Sequence, residues 1–152
     1  DEYIISICCA YLHDVLEDCE YYTQEKLLEE GVPFEIVSRV QILTRGEGES
    51  YMNFIRRCGD DKITRIVKMC DLYHNMDLTR LDTLSDEDIQ RVKKYHKAYK
   101  YLENGKSEIF CLMLKFLLLG IFFRENQIAV AQRYIDDYLH LIYGVYRPHK
   151  DV

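Results

Sequence analysis

The stretch YLHDVLEDCEYY, residues 11–22, places His13, Asp14, Glu17 and Asp18 within one short, otherwise apolar run. On a helix, His13 and Glu17 would be four apart, as would Asp14 and Asp18, so the polar groups would crowd adjoining faces of one turn. Carboxylates held that close repel one another unless a cation sits among them. A divalent metal would supply the charge, and imidazole nitrogen with carboxylate oxygen is a donor set suited to manganese, iron or zinc. A solvated helix face with a chance His-Asp pair accounts for this stretch equally well. A second stretch, KMCDLYHNMD at 68–77, puts Asp71 and Asn75 four apart, with His74 beside them. Its helix is otherwise mostly apolar, and an unpartnered aspartate there would cost several kcal/mol. If the two helices pack together, Asp71 can complete the ligand set begun by His13 and Asp14.

The elements that must position these groups read as helices. Two prolines and seven glycines in 152 residues leave few breaks, and no segment alternates as a strand would. Helical spacing of Ile4, Ile5, Cys8, Cys9, Leu12, Val15 and Leu16 predicts one helix over 2–20. Thr23 is the expected N-cap of a short helix that Gly31 closes. Pro33 fits the first turn of the next helix, with Ile36, Val37, Val40, Ile42 and Leu43 inward. RGEGES at 45–50 is a loop, 51–57 a short helix ended by Gly-Asp-Asp, and 62–76 a longer one. Ser85 followed by acidic residues is a start signal for a helix running to Leu102 and stopping near Gly105.

Taken together, AYLHDVLEDCEYYTQEKLLEEGVPFEIVSRVQILTR and the later RIVKMCDLYHNMDLTRL resemble the HD-domain metal-dependent phosphohydrolases. Within them the chain is most similar to the hydrolase domain of the RelA/SpoT-type alarmone enzymes and their small stand-alone relatives. Those carry HD-x-x-ED, then a V-T-K-like element, then D-x-x-x-N; this chain has HD-x-x-ED at 13–18, Leu43-Thr44-Arg45, and Asp71 with Asn75. The resemblance spans roughly residues 10–104. It implies an all-α, HD-domain-like helical bundle over 1–104; residues 105–152, outside the resemblance, read as a helical extension that packs on it or forms an interface. It also implies manganese as the metal, with iron, zinc or magnesium as alternatives. His13, Asp14 and Asp71 would be its ligands, and Glu17 and Asp18 would position and deprotonate the attacking water or return a proton to the leaving group. Asn75 would steady the nucleotide or the ligand shell; apart from the resemblance, Arg45, Arg65 and Lys68 could contact phosphates of a substrate or lie solvated on their helices. The implied reaction removes the 3′-pyrophosphate from guanosine tetra- or pentaphosphate, with a non-catalytic relative that binds a nucleotide or protein partner as the alternative. A bound metal lowers the pKa of its water, and a nearby carboxylate handles the proton.

The family's further metal-binding histidine, on a helix well ahead of HD, has no counterpart in the twelve residues before His13. The expectation is therefore that the domain's N-terminal helices lie outside this sequence, that a ligand is lost, or that His140 or His149 replaces it. His74 is expected to pack behind the site and His96 to lie on a helix surface. Some of the 13 tyrosines could stack a base. The run at 109–123 is apolar almost all round but carries Lys115 and falls short of the roughly 20 residues a membrane span needs. It reads as a buried helix or a contact between two copies of the chain. A net charge of −6 argues against nucleic acid as a partner. No C-x-x-C pair occurs among the six cysteines, which read as buried free thiols of a cytoplasmic protein.

Overall fold

The computed structural model describes residues 2–103. The described residues are all helical and contain no strand. In chain order the helices are α1 (Glu2–Leu12), α2 (Val15–Asp18), α3 (Gln24–Glu29), α4 (Phe34–Leu43), α5 (Tyr51–Asp60) and α6 (Lys62–Asn75). A 3₁₀ turn at Leu78–Arg80 and α7 (Asp86–Glu103) follow. The tail at 109–123, with Lys115, His140 and His149, lies outside the described residues, as does the expected stop near Gly105.

Helix α6 is the centre of the bundle, packed on α1, α4, α5 and α7. That position requires apolar residues on several sides, and Ile63, Ile66, Val67, Met69, Cys70 and Leu72 are all buried. From α1, Ile7, Cys8 and Leu12 enter the buried core, and from α4 the fully buried Ile36 and Val40 contribute to it as well. Ala98 and Leu102 bring α7 onto it. Gly59 lets α7 come close: a Cβ there would sit 3.1 Å from Leu102 Cδ2.

Local signals act as their chemistry dictates. Thr23 Oγ1 accepts from the Lys26 N–H at 3.2 Å and opens α3. Gly31 closes it at φ 89°, a left-handed value that glycine adopts without a Cβ clash. Ser85 and Asp88 form a reciprocal capping box, with Ser85 N–H donating to Asp88 Oδ2 at 3.0 Å and Asp88 N–H to Ser85 Oγ at 3.2 Å.

Two boundaries differ from the sequence expectation. The helix expected over 2–20 stops at Leu12 and restarts at Val15, so His13-Asp14 occupies the break. The cause is local competition for the ladder. His13 Nδ1 donates to Ala10 O at 2.7 Å, while Asp14 O accepts from the N–H groups of Glu17 and Asp18 at 3.0 and 2.8 Å. The second difference is that Gly-Asp-Asp does not end α5 at Arg57. The helix runs through Gly59 to Asp60, and Asp61 then caps α6 by accepting from Ile63 and Thr64 N–H at 3.0 and 2.9 Å.

Candidate active site

The break between α1 and α2 turns His13 inward rather than along a helix face. Its side chain is 5% exposed, with Nε2 2.9 Å from Asp14 Oδ2 and 3.7 Å from Asp71 Oδ1. The carbonyl of Ala10 can only accept, so Nδ1 carries a proton and Nε2 is the atom turned to the carboxylates. Burial opposes charge on this ring, yet the hydrogen bonds and charges of Asp14 and Asp71 outweigh it and push its pKa up to about 10. The ring is thereby biased toward its charged form.

Asp71 projects from the middle of α6 into the same point and is itself buried. Its Oδ2 accepts from Lys68 Nζ at 2.7 Å, and the Asn75 amide donates both to Asp71 O, at 3.0 Å, and to Oδ1. Burial works against the carboxylate, but His13 and Lys68 together hold its pKa well below the usual carboxylate range. Lys68 is nearly buried, and its ammonium lies 4.9 Å from the centre of the Phe54 ring.

Glu17 and Asp18 are exposed on α2. Glu17 Oε1 accepts from the Arg45 backbone N–H at 2.6 Å, tying α2 to the Leu43-Thr44-Arg45 segment that ends α4. The Arg45 guanidinium donates to Glu49 O at 2.9 and 2.6 Å. Glu49 in turn receives Arg57 Nη2 at 2.6 Å and Nε at 3.1 Å. Arg57 also donates to the carbonyls of Ile42 and Thr44, so one guanidinium pins the whole turn after α4. A cavity of about 630 Å³ opens on this side, bordered by Tyr22, Gln41, Arg45 and Arg57. Asn75, Arg80, Arg91 and Tyr95 border a second cavity of about 310 Å³. Arg80 Nη1 donates to His74 Nδ1 at 3.0 Å there, and burial plus this cation lower the His74 pKa.

Thus His13, Asp14, Asp71, Lys68 and Asn75 come together, and Glu17 and Arg45 meet beside them. Sequence reasoning passed over Glu49 and Arg57, whose pairing depends on the loop's path, and Phe54, which roofs Lys68. It also passed over Tyr51, whose buried hydroxyl has no hydrogen-bond partner among the described residues. Burial, together with the charges of Tyr95 and Asp71, raises the Tyr51 pKa. An aromatic run near a charge motif carries no signal for such roles.

Among the described residues no three or more His, Cys, Asp or Glu side chains form a ready-made metal cage. One imidazole nitrogen and two carboxylates are nonetheless a donor set that manganese, iron or zinc accepts; His13 Nε2 lies 2.9 and 3.7 Å from the two carboxylate oxygens as an ion pair. The Nδ1 bond to a backbone carbonyl is the customary way of orienting a ligating imidazole. In comparison with known proteins, no family model matches the chain, and no curated protein is significantly similar to it.

Proposed function

We propose that this chain is an HD-type metal-dependent phosphohydrolase that cleaves a nucleotide pyrophosphate, in the manner of a guanosine 3′,5′-bis(diphosphate) 3′-pyrophosphohydrolase. The observation that supports it is the convergence of His13 and Asp14, from a helix break, with Asp71, from the middle of a core helix. Burying a histidine and an aspartate side by side is costly unless the pair serves a charge-bearing task.

His13 Nε2, Asp14 and Asp71 would hold the ion, manganese being the proposed species. When bound, such an ion acidifies a water and offsets charge on a phosphoryl oxygen. The remaining steps belong to this chain's side chains. Glu17, exposed and braced by the Arg45 N–H, takes the proton of the attacking water through its other oxygen. That proton is the one Glu17 then returns to the leaving group, with Asp18, on the same short helix, positioning the water. Asn75, Arg80 and Arg91 border the second cavity, where amide and guanidinium donors suit phosphate and base edges. A second reading is a non-catalytic relative that binds a nucleotide; the occupation of Asp71 Oδ2 by Lys68 favours it.

Calorimetric titration with manganese tests the reading, with Asp14→Asn and Asp71→Asn expected to abolish the binding. Manganese-dependent release of pyrophosphate from guanosine tetraphosphate then separates enzyme from binder. A Glu17→Gln, Asp18→Asn variant that turns over as fast as the parent would sink the assigned roles.

A further inference from the structure

Lysine 68 is the feature of this site that a metal centre does not need. A lysine is rarely buried, and this one has 12% of its side chain exposed. It sits one helical turn before Asp71, with Nζ on Oδ2 at 2.7 Å and with the Phe54 ring over it. The other Asp71 oxygen faces His13 and the Asn75 amide. The carboxylate is thus divided, one oxygen for an internal ammonium and one for the imidazole side.

We propose that Lys68 is a positioning residue that acts as a resident counter-cation, fixing the Asp71 carboxylate and weakening the site's hold on a divalent ion by competing for it. The proposal rests on the metal reading above. Once His13 Nε2 has given up its proton to act as a ligand, Asp14 and Asp71 leave two negative charges for an incoming ion, and Lys68 cancels one of them. Even at the dielectric of bulk water, a unit charge about 4 Å from a dication changes affinity by about tenfold or more. A weaker hold makes the ion exchangeable, whereas a lysine that served only packing would have no such effect.

Manganese titrations of the wild type, Lys68→Met and Lys68→Arg decide the matter, with circular dichroism to verify the fold. The expected result is about tenfold or more tighter binding by Lys68→Met, with Lys68→Arg restored to near the wild-type value. Tighter binding cannot come from a structural defect, which loosens a site. If the wild type binds and a folded Lys68→Met binds equally or more weakly, the role of Lys68 is overturned and the metal reading stands. If only Lys68→Met binds, Lys68 is confirmed as the competing cation and the metal reading fails for the native chain. Absence of binding in both overturns both. Should Lys68→Met fail to fold, the wild-type ¹⁵Nζ resonance of Lys68 is followed during titration with diamagnetic magnesium or zinc. A shift at saturation supports the proposal, and an unmoved resonance alongside calorimetric binding, or no binding at all, overturns it.

Discussion

Asp71 serves the fold as well as the site, because two buried cationic groups depend on it. His13 and Lys68 both direct their charge at one carboxylate inside the bundle. Removing that carboxylate leaves Lys68 charged and unpartnered in a nearly dry setting, the costly half of a broken buried pair. Asp71→Ala is therefore expected to destabilise the metal-free protein by about 3–5 kcal/mol, read as a lower midpoint in urea unfolding. A large-to-small change next to it has a different origin. Ile66 is 2% exposed, and Ile66→Ala should cost about 2–5 kcal/mol through lost contacts and a cavity, with metal affinity per folded molecule unchanged. Comparing the two variants separates charge from packing on one helix.

At the scale of elements, the break between α1 and α2 and the turn after α4 share the task of presenting the site. The break aims His13 inward and leaves Glu17 outside, and the turn supplies the Arg45 N–H that holds Glu17. Glu49 secures that turn. The hydrogen bond from Arg57, then the Gly46 N–H, lower its pKa below the ordinary 4.5. A carboxyl whose folded pKa is depressed contributes stability that is present above its unfolded value and lost as pH falls through the folded one. The turn at 44–50 should accordingly loosen below about pH 4.5, before the core responds. Amide exchange across that turn is the measurement, and Glu49→Gln should make it mobile at neutral pH with little further acid dependence. If exchange in the turn followed the core at every pH, the clamp would have no such role.

For the whole molecule, the central position of α6 ties site and core into one cooperative unit. The thiols report on that unit. Burial pushes Cys8, Cys58 and Cys70 each up to about 12 and raises Cys9 as well, and the thiolate is the reactive form. Only Cys19 among the described cysteines is partly exposed. Under native conditions Cys19 should react readily with a thiol reagent, while the other four react only as the bundle opens. Prompt modification of Cys8 or Cys70 in the folded protein would contradict the packing of α1 on α6. No helix among the described residues is long and apolar enough to cross a membrane.

Helix periodicity, the caps at Thr23 and Ser85, and the glycine closing α3 were legible in the sequence because each depends on neighbours within a few residues. The pairing of His13-Asp14 with Asp71 was legible for another reason: an aspartate in an apolar helix demands a partner, and few were on offer. The break after Leu12 was not legible, since the apolar spacing runs on through it and only the bond from His13 Nδ1 to Ala10 O interrupts the ladder. Nor was the direction of Lys68, which reads as a phosphate-facing lysine until Phe54 and Asp71 are seen around it. Sequence alone determined the helical make-up of residues 2–103 and nominated the ionisable residues. Tertiary structure alone decided which of them lose their water, because desolvation and charge pairing depend on what distant helices bring to the same point.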